Sequence, residues 1–336
     1  MEKTVDKKQN CLTLIRYIAA LNVFWFHAVA HLDVKMPEPL NLLMKCVQGV
    51  PVFFVISGFL IWMSLDNTSS FSIFLKKRVF RLYPELWGGV FLNAVVIILL
   101  YRENIVWKEF CLFLVGQATF VQFWTPSSLR GYGCGTPNGA LWTICVLLQA
   151  YVVLFFLHEW FKNKKWHQWI VLFIGSVVAA ALFERLEGYI PTIAFKLIRE
   201  TALPYLWMFL LGAAVQEFFD KVMPKLMRIW PFLFGVSLAF QFTGIPDIDV
   251  NYSLLKCIFL GLSVLGFAYA YPRIRIKHDI SYGLFIYHMI VINAMIELGY
   301  TGKQIYVWIA LVISILLAYF SYCTLGSLSH KIKNRL

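Results

Sequence analysis

Residues 46–65 read Cys46-Val47-Gln48-Gly49-Val50-Pro51-Val52-Phe53-Phe54-Val55-Ile56-Ser57-Gly58-Phe59-Leu60-Ile61-Trp62-Met63-Ser64-Leu65, without one charged side chain. About 20 mostly apolar residues are what a helix needs to cross a bilayer. Comparable runs recur near 12–33, 86–101, 139–161, 168–185, 203–219, 229–243, 253–271, 280–299 and 304–326. Over all 336 residues the chain is 60% hydrophobic and 14% charged. An ordinary soluble domain is about half apolar and about a quarter charged. A water-soluble globule cannot hide this much apolar surface, and a disordered chain would not carry it. The runs are continuous, and about twice the length of the alternating segments of a β-barrel. The expected class is all-α, a polytopic membrane protein with about ten transmembrane helices.

Charge sets the expected orientation. The chain has 30 Lys and Arg against 18 Asp and Glu, a net +12. In a soluble protein this balance would suggest nucleic acid; in a membrane protein it first reports topology, because cytoplasmic loops collect cations. With the N-terminus inside, the inner segments hold Lys3, Lys7, Lys8; Lys76, Lys77, Arg78, Arg81; Lys162, Lys164, Lys165; Lys221, Lys225, Arg228; Arg273, Arg275, Lys277; and Lys331, Lys333, Arg335. The acidic pair Asp247 and Asp249 falls outside. This holds only if the further apolar stretch Cys111–Trp124 does not cross, so it is read as interfacial or re-entrant. Both termini are then cytoplasmic, no nucleic-acid partner is expected, and membrane lipid surrounds the spans.

The seven cysteines are scattered, mostly within apolar segments, and no Cys/His spacing suggests a metal. Ala28-Val29-Ala30 mimics a signal-peptidase site, but the run before it holds Arg16, Asn22 and His27 and is read as a retained span. No linker or low-complexity tract divides the chain, so residues 1–336 are expected to form one membrane domain without a soluble appendage.

Ionisable groups inside spans are costly and point to function. The first span carries Arg16, Asn22, His27 and His31. Eleven residues separate Arg16 from His27, which returns them to nearly one helix face about 16 Å apart. The layout suits a long ligand with an anionic end at Arg16 and a reactive end at His27. It equally suits a snorkelling arginine and a histidine bonded to a neighbouring helix. The run Phe74-Leu75-Lys76-Lys77-Arg78-Val79-Phe80-Arg81-Leu82-Tyr83-Pro84 places Arg78 and Arg81 three apart. Paired guanidinium donors fit phosphate, and an interfacial helix on anionic lipid fits as well. Asn138–Tyr151 brings Trp142 to the outer interface and Gln149 deeper. Ile280–His288 puts His288 some eight residues into the ninth span.

In this order the motifs resemble the acyltransferase-3 family of bacterial integral-membrane acyltransferases, which act on O-antigens, Nod factors and other glycans. Arg16…His27 looks like the family's first-helix motif, and Gly49–Ile61 like its second-helix signature. Arg78-Val79-Phe80-Arg81 with Tyr83-Pro84 matches its basic loop. Leu141-Trp142-Thr143 with Gln149 and Tyr151, Phe209-Leu210-Leu211-Gly212-Ala213, and Ser281-Tyr282-Gly283-Leu284…His288 are similar to later motifs. One position departs: many members carry Glu where this chain has Leu147, so if that Glu assists the histidine elsewhere, the task here is done differently or by another group such as Gln149.

The resemblance implies O-acyl transfer from cytoplasmic acyl-CoA, acetyl-CoA as co-substrate, to a hydroxyl of a surface glycan such as O-antigen. The acceptor would be lipid-linked at a bacterial inner membrane. His27 would be the base, or would carry the acyl group transiently; Arg16 would line the donor's path. Arg78 and Arg81 would hold CoA phosphates. Ser57, Tyr287 and His288 would be candidate donors to the thioester oxyanion. Trp142 and Gln149 would meet the acceptor. No metal is implied. The rival expectation is a transporter or flippase of a lipid-linked glycan, which would also place His and Arg within the membrane.

Overall fold

The computed structural model describes residues 5–68, 70–274 and 276–326. Lys3, Arg275, Lys331, Lys333 and Arg335 of the charge pattern lie outside the described residues. In chain order the helices are α1 (Leu12–His31), α2 (Glu38–Lys45), α3 (Gly49–Leu65), α4 (Phe71–Tyr101), α5 (Trp107–Ala118), α6 (Trp142–Phe161), α7 (Trp166–Glu184), α8 (Thr192–Arg199), α9 (Leu206–Glu217), α10 (Phe219–Phe242), α11 (Leu254–Ala270), α12 (Ser281–Glu297) and α13 (Gln304–Ser321). No β-sheet forms among the described residues. The chain is an all-α membrane protein.

Among the described residues seven helical stretches are long and apolar enough to cross a membrane: those ending with α1, α3, α6, α7 and α10, and the ones built on α4 and α13. Three expected spans fall on shorter helices, α9 with 12 residues and α11 and α12 with 17 each. At about 1.5 Å per residue, twelve residues reach about 18 Å, short of the roughly 30 Å hydrocarbon core. The same arithmetic applies to α5, the 12-residue helix that overlaps the first part of the stretch read as interfacial. Two helices exceed their expected spans. α4 runs 31 residues through Pro84, and α10 runs 24 residues through Pro224 and Pro231. Each takes a basic segment into its first turns, so those cations sit on helix and not on loop. Apolar content marks only the part of a helix that lipid covers; the helix continues because nothing in the basic run stops it.

Outward-facing side chains are apolar. Ile170, Val171, Ile174, Val178 and Leu182 are exposed along α7, and Val312, Leu316 and Phe320 along α13. Such stripes would be a liability in water; in a bilayer they face lipid tails.

The chain divides into two compact units. The first comprises Met1–Ala19, Lys45–Phe74 and Val146–Lys277; the second comprises Ala20–Met44, Leu75–Cys145 and His278–Leu336. In the first, α3 and α9 run parallel in close contact. A Cβ on Gly58 would overlap the Phe209 carbonyl, and one on Gly212 would overlap the Val55 carbonyl. Small residues let membrane helices approach until backbones touch. This explains the glycines in two of the motifs. Phe54 stacks on Phe209 at 4.7 Å, and Trp62 Nε1 donates to Glu217 Oε2 at 2.8 Å where the pair ends.

In the second unit, Trp25 of α1 packs edge-on to Trp308 of α13 at 5.9 Å and donates to Asn41 Oδ1 of α2. The N–H of Gly302 donates to the Leu32 carbonyl at 2.8 Å, which ties the start of α13 to the end of α1. Gly283 of α12 meets Ala318 of α13, again small residue on small residue.

Candidate active site

The second unit brings two helices' histidines into contact. His27 Nδ1 lies 2.8 Å from His288 Nε2, and the rings meet edge to edge, with centroids 5.1 Å apart and planes within 10° of each other. His288 is fully buried, and its Nδ1 lies 3.1 Å from the Leu284 carbonyl one turn back on α12. A carbonyl only accepts, so the network assigns the His288 hydrogen to Nδ1. Its Nε2 then presents a lone pair, and His27 Nδ1–H donates to it. His27 Nε2 is left as the unprotonated nitrogen of the pair, in a half-buried ring. One imidazole thus fixes the tautomer and plane of the other, the task a carboxylate performs in many histidine sites. Phe24 and Phe285 pack against His288 at 6.3 and 6.0 Å. His31, one turn beyond His27, lies 5.7 Å from it between centroids.

A loop is fastened to the same helix. Gly133 N–H donates to Glu297 Oε1 at 2.6 Å, and Cys134 N–H to Asn293 Oδ1 at 2.9 Å. The Asn293 amide donates back to the Thr136 and Pro137 carbonyls, and Asn138 donates to the Ile286 carbonyl at 2.9 Å. Gly133 has φ +54°, and any side chain there would strike Asn293. Burial pushes the Cys134 thiol up from its ordinary value, which makes it a poor nucleophile.

On α4, Arg78 is half-buried and Arg81 exposed, three residues apart on one helix. One turn further, Glu85 is buried within electrostatic reach of Asp279 and Arg81. Asp279 accepts from the Ser281 hydroxyl at 2.6 Å at the start of α12. Trp142 opens α6, half-buried. Tyr287, expected near the reacting oxygen, donates to Ser321 Oγ on α13 at 3.0 Å. His288 spends both ring nitrogens on protein groups, so its geometry supports His27 and not an oxyanion.

Arg16, Ser57 and Gln149 belong to the first unit. Arg16 Nη2 donates to Thr13 Oγ1 at 3.2 Å. Ser57 is half-buried on α3. Gln149 donates to the Glu200 carbonyl at 3.2 Å and accepts from Ala202 N–H at 3.1 Å. Leu147, where relatives of the motif carry Glu, is half-buried on α6. Sequence reasoning singled out both His27 and His288 but did not pair them. It missed Asn293, Glu297 and Glu85; a polar residue inside an apolar helix was the available signal for Asn293.

A helical membrane protein with a buried, oriented imidazole is the class these features define. The acyltransferase-3 model, described as an acyltransferase domain, matches residues 9–325, and the chain belongs to that family. It is 28% identical over 332 residues to nodulation protein 10 of Rhizobium leguminosarum bv. viciae, covering 90% of this chain and 87% of that protein. It is 25% identical over 311 residues to an O-acetyl transferase of Shigella phage Sf6, covering 86% and 87%. With the exopolysaccharide production protein ExoZ of Rhizobium meliloti (strain 1021) it shares 24% over 280 residues, covering 75% and 78%. No solved structure matches. The protein is therefore a multi-pass membrane acyltransferase.

Proposed function

We propose that this protein moves an acetyl group from cytoplasmic acetyl-CoA to a hydroxyl of a surface glycan, of the O-antigen or exopolysaccharide type, at the bacterial inner membrane. The observation that carries the reading is the His27–His288 pair, which leaves His27 Nε2 as an aimed lone pair. A sugar hydroxyl is a poor nucleophile until a base removes its proton, and imidazole suits that work near neutral pH. His27 Nε2 takes the hydroxyl proton as the oxygen attacks the thioester carbonyl. The C–S bond breaks, and the departing CoA sulfur receives the proton from His27. A second route uses the same nitrogen: Nε2 attacks the thioester, CoA leaves as its thiolate, the acyl group passes from His27 to the hydroxyl oxygen, and the hydroxyl proton ends on the CoA sulfur. If a Glu at position 147 orients the histidine on the family pattern, His288 is the group read as doing so here.

Arg78 and Arg81 are assigned to the CoA phosphates, through charge-assisted bonds. Arg16 is read as a further cation for the donor, because it shares α1 with His27. The names of two relatives, an O-acetyl transferase and an exopolysaccharide production protein, support an acetyl donor and a glycan acceptor. Purified protein in nanodiscs, given acetyl-CoA and glycan extracted from the host membrane, tests the reading by mass spectrometry of the glycan. A gain of acetyl that depends on His27 supports it. No acyl-CoA consumption with any acceptor, together with glycan movement across the bilayer, would favour a flippase instead.

A further inference from the structure

A second polar cluster lies in the first unit, on the side that the cation pattern orients outward. Arg199 closes α8, and its Nη2 donates to Asn251 Oδ1 at 3.4 Å. The same guanidinium acts electrostatically on Glu184 at the end of α7, on Glu200, and on Tyr205 and Tyr252. The two tyrosine rings lie 6.4 Å apart at 59°, with Phe54 at 5.5 Å from Tyr205. Gln149 braces the backbone on either side of Thr201 through its bonds to the Glu200 carbonyl and the Ala202 N–H. Asn251 is held at φ +70°, a conformation asparagine tolerates better than most residues.

Within this cluster Glu184 Oε1 and Glu200 Oε2 are shielded from solvent without a protein hydrogen bond, while the Asn251 amide bonds the Tyr205 hydroxyl. Buried polar atoms in native proteins are nearly always paired, so two carboxylate oxygens left over beside a guanidinium and two tyrosine rings mark a place built for an outside partner. The set offers acceptors from two carboxylates, an amide donor, a guanidinium and aromatic rings. A phosphate headgroup would want cations without carboxylates beside them. Here one guanidinium faces Glu184 and Glu200, and Asp249 acts on Glu184 as well. Sugar hydroxyls donate and accept at once, and the C–H face of a pyranose packs on aromatic rings. We propose that Glu184, Arg199, Glu200, Asn251 and Tyr252 form a glycan subsite that holds a sugar ring of the acceptor, with Gln149 as the positioning residue for Glu200. The proposal rests on the reading that the acceptor is a glycan.

The full chain in nanodiscs is tested by saturation-transfer NMR with mono- to tetrasaccharides of glucose, galactose, rhamnose and N-acetylglucosamine, against empty nanodiscs. At least one sugar should bind the wild type, and Glu200→Gln and Asn251→Asp should each weaken it about tenfold, the scale of one lost hydrogen bond to a charged group. Gln149→Ala should weaken it in the same direction. Arg199→Lys, at an exposed position, provides a variant that leaves folding unstressed. Thermal unfolding of Glu200→Gln should match the wild type. In acyl transfer the variants should raise the acceptor KM with the donor KM unchanged. Binding of no sugar by the wild type, or unchanged binding in all four variants, overturns the subsite. If the sugars bind as described but the wild type transfers no acyl group, the subsite stands and the acyltransfer reading fails. If transfer proceeds with the acceptor KM unmoved by the variants, the reverse holds.

Discussion

His27 Nε2 owes its free lone pair to an atom on another helix. The Leu284 carbonyl forces a hydrogen onto His288 Nδ1, which forces one onto His27 Nδ1, which bares Nε2. His27→Ala removes that nitrogen. Acyl transfer should fall by at least about 10²-fold, the usual contribution of a general base, while the protein still inserts. Wild-type turnover by this variant, read as acetyl-CoA consumed, would end the assignment. On the proposed mechanism His288 acts through His27, so His288→Ala should lower kcat and leave both KM values near wild type. His288→Gln should recover part of the rate, because its side-chain oxygen can accept from His27 Nδ1–H. Equal loss in the two variants would mean that the ring only fills space. At this scale the sequence showed both histidines but not their contact. They are hundreds of positions apart, and no local pattern encodes which faces of two helices meet.

Among the elements, glycine placement is where motif and packing coincide. The Gly58 and Gly212 contacts let α3 and α9 touch backbone to backbone. Gly58→Ala or Gly212→Ala should cost about 1–3 kcal/mol of stability, as overpacking does, seen as a lower unfolding temperature in detergent. Gly235→Ala on α10 should be neutral or mildly stabilising, because nothing lies within 4 Å of the added methyl and alanine favours helix. A larger loss at Gly235 than at Gly58 would contradict this account. α4 makes a second case. The sequence suggested a basic loop leading into a span; the structure runs one helix through both. Arg78 and Arg81 therefore keep a defined helical spacing. Replacing both by Ala should raise the acetyl-CoA KM about tenfold, in line with the loss of charge-assisted bonds, and the effect should shrink in high salt. An unchanged donor KM would return these residues to the lipid interface.

For the whole molecule, the cation distribution remains the basis for orientation. Lys164 lies in the turn between α6 and α7, and Asp247 in the connection between α10 and α11. If α7, α9 and α10 all cross, these positions face opposite sides of the membrane. Lys164→Cys should be labelled by a membrane-impermeant reagent only from inside, and Asp247→Cys only from outside. The seven native cysteines must be replaced first, since Cys111 and Cys323 are exposed. Labelling of both from one side would remove α9 as a span, the reading its 12 residues put most at stake.

Composition and run length alone determined that this chain lives in a bilayer as helices, because apolar surface on this scale has no other stable solvent. Motif order alone was enough to suggest its family. Tertiary structure decided which nitrogen is basic, where α4 and α10 begin, why the glycines stand where they do, and that Gln149 braces a backbone. Each of those depends on which side chain of one helix meets which atom of another. Hydropathy reports only the preference of each residue for lipid or water, so it is silent about that choice of partner.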